Sequence, residues 1–147
     1  MFTTNSTTSS NEESIRHVLI NYLEGKYSFM ELQNRLNGYV AINFNGFIKQ
    51  REIQCFDVPE NIKIQVDSGD LRRMLQKYLD KNLSAEDLSC WAAFIYMMPF
   101  YLPEGETEDE RWQSGESELW KIIQKLADPN NISSLDFNVV EGYLALL

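Results

Sequence analysis

One histidine, two cysteines and a dense run of carboxylates are the residues of this chain whose chemistry could reach beyond structure. His17 is the sole imidazole, the group that most often carries general acid–base work at neutral pH. It lies beside Val18 at the edge of a helical apolar stripe, which favours a structural role over a catalytic one. The sequence has no Gly-rich phosphate loop, no Gly-x-Ser-x-Gly elbow, no His-Glu-x-x-His pair and no Asp-x-Asp-x-Asp-Gly calcium loop. Asp67-Ser68-Gly69-Asp70 offers oxygen ligands, but it stands where a helix start needs capping acceptors. Glu86 and Asp87, the obvious paired carboxylates, fall inside another cap. Cys55 and Cys90 make neither a disulfide framework nor a metal knuckle, so both are expected reduced. The expectation is a protein with no catalytic residue, no metal and no cofactor.

The carboxylate run is Pro103-Glu-Gly-Glu-Thr-Glu-Asp-Glu-Arg111. Glu104, Glu106, Glu108, Asp109 and Glu110 occupy five of seven positions, with Tyr101 and Trp112 flanking. Glu116 and Glu118 follow, and Arg111 is the one base among them. Like charges this dense repel one another, which suits a solvated loop. The same density imitates the phosphate spacing of nucleic acid and would steer a cationic partner, with Trp112 as a buried anchor. These six residues are therefore the candidate partner-binding set.

The bulk numbers point the same way. The chain has 147 residues with 13 Lys+Arg against 22 Asp+Glu, a formal net charge of −9. It is repelled by nucleic acid and by anionic membrane, and attracted to basic surfaces over roughly a Debye length. Its 44% apolar content excludes a disordered chain, and its length suits one domain. The longest purely apolar run, Cys90 to Met98, is far short of the ~20 residues of a bilayer span. Met1 to Ser10 has neither the basic nor the apolar region of a signal peptide, so the expected location is cytoplasmic. The aromatics Tyr22, Tyr78, Trp91, Phe94, Trp120 and Tyr143 fall on helical apolar faces and are expected to fill the core.

The elements that must position these residues are mostly helical. Residues 1–11 read as a Ser/Thr-rich disordered tail, and 12–147 as a single helical domain. Ser10 and Glu13 form a capping pattern before Ile15, Val18, Leu19, Tyr22 and Leu23, whose spacing predicts a helix ended by Gly25. Ser28 and Glu31 open a short second helix through Met30, Leu32 and Leu36 to Gly38. The pattern returns at 67–98. Asp67 or Ser68 caps a helix bearing Leu71, Met74, Leu75, Tyr78 and Leu79, and Ser84 with Asp87 opens one bearing Leu88, Trp91, Ala92 and Ile95. Arg16–Leu32 matches Arg72–Leu88 at six of seventeen positions. Both copies, 12–38 and 67–98, read as αα-hairpins, by duplication or by shared hairpin grammar.

Between them, 39–66 is β-branched and aromatic, with Asn45-Gly46 offering a tight turn. It predicts two or three short strands, either a hairpin beside the helices or a crossover between helical pairs. The helix from Ser84 to about Met98 is apolar all round and should be the most enclosed. A polar loop from Pro103 to Ser114 leads to a helix carrying Leu119, Trp120, Ile122, Ile123 and Leu126. Asp128-Pro129 breaks it, and Ser133 or Ser134 opens a last helix with Val139, Val140, Tyr143, Leu144 and Leu147 on its apolar side. The predicted fold is mainly α: a bundle of about six helices built from αα-hairpins, with a small β insert around 39–66.

Tyr22-Leu-Glu-Gly-Lys-Tyr-Ser-Phe-Met-Glu-Leu32 and Tyr78-Leu-Asp-Lys-Asn-Leu-Ser-Ala-Glu-Asp-Leu-Ser-Cys-Trp-Ala92 resemble the opening of small bacterial immunity proteins, the colicin-like self-protective kind and those guarding against contact-dependent growth inhibition toxins. The resemblance implies a helical protein without catalysis of its own. Such a protein binds a cognate toxin domain, often a basic RNase acting on tRNA, and covers its active site. The other expectation that composition leaves open is an acidic helical adaptor or regulatory subunit with a non-toxin partner.

Overall fold

The computed structural model describes residues 15–36, 40–44, 51–55, 61–103 and 118–147. The tail 1–11, the Ser10–Glu13 cap, Gly38 and the Asn45-Gly46 turn lie outside the described residues. Among the described residues there are six α-helices, as the sequence predicts: α1 (15–23), α2 (Phe29–Arg35), α3 (Ser68–Leu79), α4 (Ala85–Met97), α5 (Glu118–Ala127) and α6 (Phe137–Leu146).

Each hairpin is built from local chemistry. At the end of α1, the Gly25 N–H donates to Tyr22 O at 3.0 Å and the Lys26 N–H to Asn21 O at 2.9 Å, the paired bonds of a Schellman close. Gly25 takes φ 78° to make them. Fifty-six positions on, the Lys81 N–H donates to Tyr78 O and the Asn82 N–H to Lys77 O at 3.1 and 2.9 Å, with Lys81 at φ 64°. The next helices are capped in step: Ser28 accepts the Glu31 N–H, and Ser84 the Asp87 N–H, each at 3.1 Å. Glu31 returns the bond to the Ser28 N–H, completing a capping box, as Asp70 does for Asp67 at α3. The two turns therefore share hydrogen-bond register as well as sequence spacing.

The matched turns make opposite predictions. A Cβ on Gly25 would sit 2.7 Å from Met74 Sδ and 2.9 Å from Lys77 Nζ, in a conformation costly for any L-residue. Gly25→Ala is expected to lose about 1–2 kcal/mol by urea denaturation. Lys81→Gly, which removes the same backbone penalty where lysine now bears it, is expected to gain about 0.5–1 kcal/mol.

The two hairpins interlock through the end of α1. Lys77 Nζ donates to Gly25 O at 2.7 Å, Trp91 Nε1 to Leu23 O at 3.2 Å and Tyr101 Oη to Leu19 O at 2.7 Å. The first two satisfy carbonyls that the helix terminus and turn present to the interior. α4 is central: Leu88 to Ile95 are eight consecutive buried residues, as its all-round apolar sequence predicts. Phe94 gathers Tyr22, Tyr101 and Phe100 around it at 5.4, 5.8 and 6.3 Å between ring centroids. α4 packs most extensively on α5, whose Leu119, Trp120, Ile122, Ile123 and Leu126 are all buried. Ser89 ties the two helices by donating to Leu126 O at 2.7 Å.

The β structure is divided. Strands β1 (Val40–Phe44) and β2 (Arg51–Cys55) pair antiparallel, with Phe44 opposite Arg51. Strand β3 (Ile64–Val66) pairs instead, in parallel, with β4 (Tyr101–Pro103). The sequence reading places the start of a polar loop at Pro103 and no strand at β4. All three β4 residues are buried, and the α3–α4 hairpin serves as the crossover between the parallel strands.

Three further expectations are corrected. Met30, assigned to the apolar face of α2, is 66% exposed. Ser133 and Ser134 belong to a 3-10 helix, Pro129–Ser134, and the last helix is capped by Asp136, whose side chain accepts the Val139 N–H. α6 is apolar but peripheral. It packs chiefly on α3 and buries only Val140 among its residues, leaving Tyr143, Leu144 and Leu147 half-buried.

Candidate functional site

The candidate partner-binding residues Glu104, Glu106, Glu108, Asp109, Glu110 and Trp112 lie outside the described residues. Both ends of their segment are described. On one side Tyr101, Leu102 and Pro103 are buried in β4, with the Tyr101 hydroxyl held on Leu19 O. Burial pushes that phenol well above its usual pKa, so it remains a donor across the accessible pH range. On the other side Leu119 and Trp120 enter the core in the first turn of α5, and the Trp120 ring stands 6.1 Å from that of Tyr96. The acidic segment is thus tied to the core at both flanks.

Charge is divided unevenly between this segment and the described body. The described residues carry twelve Asp/Glu against eleven Lys/Arg, whereas 104–117 carry six acids against Arg111 alone. Of the net −9, one unit belongs to the described residues and five to 104–117. The helical body is close to neutral, and the long-range field of the chain arises largely from one interval of its sequence.

The other residues of chemical interest are exposed, buried or engaged in helix caps. His17 is exposed on α1. Asp67 and Asp70 exchange backbone bonds at 3.0 Å in both directions, as the capping assignment requires. Asp70 also accepts from Arg73 at 3.1 Å. Glu86 and Asp87 are exposed in the first turn of α4. Cys90 is buried. Among the described residues no three His, Cys, Asp or Glu side chains gather as a metal site would require.

Desolvation raises the Asp70 pKa above its ordinary 3.8, outweighing the lowering by the Asp67 N–H and by Arg73. The folded state therefore holds this proton more tightly than the unfolded chain. Its contribution to stability is greatest below pH 3.8 and fades as pH rises through the folded value. Asp70→Asn retains an oxygen for the Asp67 N–H. Its urea midpoint relative to wild type is expected to improve between about pH 3.8 and neutrality.

Sequence reasoning missed a cleft of about 370 Å³ between α4, α5, the 3-10 helix and α6, lined by Ser89, Lys125, Ile132, Val139 and Tyr143 among others. Tyr143 reads as core from periodicity alone, and only the peripheral seat of α6 leaves the space. A second cleft of about 210 Å³ lies between the two hairpin turns, where Lys26, Lys77 and Asp87 meet Tyr27 and Phe29. Nothing in the local pattern of either turn signals it. No protein-family model, no curated protein and no solved structure matches this chain.

Proposed function

We propose that the chain is an immunity protein that binds a cognate basic nuclease toxin, tRNase-like in its chemistry, and neutralises it by covering the active site. The observation that carries the reading is the division of charge: a near-neutral helical body from which residues 104–117, five net negative charges, depart and return at core-anchored positions. A nuclease presents a basic groove to the phosphates of its substrate. Concentrated carboxylates on an inhibitor compete for that groove and accelerate encounter, while an apolar anchor such as Trp112 slows release. Inhibition of this kind is stoichiometric and needs no catalytic group, metal or cofactor on the inhibitor. The cytoplasm of the toxin-producing cell is where such protection is required. The similarity of Tyr22–Leu32 and Tyr78–Ala92 to immunity proteins supports the same assignment.

The test mixes the purified chain with the basic domain encoded in the adjacent reading frame and follows RNA cleavage. The expected result is a one-to-one complex on gel filtration and loss of cleavage at equimolar inhibitor. Cleavage that persists at excess inhibitor, or absence of a complex at low salt, overturns the assignment.

A further inference from the structure

We propose that the cleft between α4, α5, the 3-10 helix and α6 binds a small amphipathic carboxylate, an acid with an aliphatic or aryl body and one anionic head. Its volume of about 370 Å³ lies within the range of small-molecule sites. The walls are apolar, formed by Leu126, Ile132, Leu135 and Val139. No carboxylate is among the lining residues, although the chain as a whole is strongly acidic.

The hydrogen bonds of the lining separate frame from ligand contacts. Ser89 donates to Leu126 O at 2.7 Å, Asn131 Nδ2 to Lys125 O at 3.0 Å and Ser134 Oγ to Asn131 O at 3.0 Å. The first ties α5 to α4, the second holds the end of α5 to the 3-10 helix, and the third lies within the 3-10 helix. Two lining donors, the Lys125 ammonium and the Tyr143 hydroxyl, have no partner among the described residues. Partial burial raises the Tyr143 pKa, so its hydroxyl stays protonated through neutral pH.

The nearby acids are committed or turned away. Asp128 accepts the Asn130 N–H and Asp136 the Val139 N–H, each at 2.9 Å. Glu141 is two positions from both Val139 and Tyr143, about 200° around the helix, and is exposed. A cation that makes no ion pair among the described residues and a neutral donor, set among apolar walls, match a ligand with one charged acceptor and an apolar body. A fully hydrated anion such as phosphate would leave those walls unused.

The experiment titrates octanoate into the isolated, isotope-labelled chain and follows amide NMR shifts, with octylamine as the cationic control. It requires no partner protein, so its outcome is independent of the immunity assignment. The expected result is saturable shifts confined to residues lining the cleft, none from octylamine, and a Kd raised about fivefold by Lys125→Gln and about threefold by Tyr143→Phe. Lys125 is exposed, so its substitution leaves the fold intact. The proposal is overturned by the absence of saturable shifts up to about 10 mM octanoate, by equal binding of octylamine, or by unchanged affinity in Lys125→Gln.

Discussion

Trp91→Ala is expected to lose about 3–5 kcal/mol of stability, a large part of what a domain of this size possesses. Trp91 is 1% exposed in the middle of α4, and its indole N–H is bound to Leu23 O across the seam between the hairpins. Truncation removes two things. The hydrogen bond contributes about 1 kcal/mol net, with a further penalty for leaving the Leu23 carbonyl buried without its partner. The lost ring leaves a cavity against Tyr22 and the neighbouring turn, and cavity formation supplies most of the cost. Trp91→Phe separates the terms, because it abolishes the donor while retaining most of the volume, and is expected to lose less than half as much. Urea denaturation followed by circular dichroism measures both. Equal losses in the two variants would show that the seam is held by the hydrogen bond, and the packing account would fail.

What could be read from the sequence follows from the range of the forces involved. Caps and turns are local. Ser28 with Glu31, Asp67 with Asp70, and Gly25 at positive φ are specified within a few residues, and they stand where the spacing puts them. Lys81 shows the value of the internal match. Lysine gives no sign of a left-handed conformation, but its alignment with Gly25 does. Where several oxygen-bearing residues compete, as Ser133, Ser134 and Asp136 do, local pattern does not select the cap, because the 3-10 helix shifts the start of α6.

Tertiary features are a different matter. β4 is three residues long and ends at a proline that donates no hydrogen bond, so it is defined by its partner Ile64–Val66 rather than by its own periodicity. Apolar spacing states which face of a helix can be buried, not whether enough neighbours exist to bury it. Met30 and most of α6 satisfy the first condition and fail the second. The second failure opens the cleft beside Tyr143. The acidic segment is legible as charge and composition, which is the property an encounter with a basic partner depends on.

If the proposed function holds, replacing Glu104, Glu106, Glu108 and Glu110 by Gln and Asp109 by Asn together is expected to slow association with the proposed toxin partner about 10- to 100-fold at low ionic strength. The substitutions take the net charge from −9 to −4, and the removed charges come from the interval that dominates the long-range field. Thermal stability should change little, because like charges crowded into one short interval of sequence repel one another rather than stabilise the fold. Stopped-flow measurement across a salt series distinguishes steering from contact. Wild-type rates should fall steeply with salt as the Debye length shrinks below the width of a nuclease groove, while the variant's should remain nearly flat. Trp112→Ala should act on the other rate constant, accelerating dissociation while leaving the salt slope of association in place. A quintuple variant that associates at the wild-type rate in low salt would remove the segment from recognition. The near-neutral helical body would then have to supply the interface by shape and apolar contact alone, and an electrostatic plug for a nuclease groove could not be its mechanism.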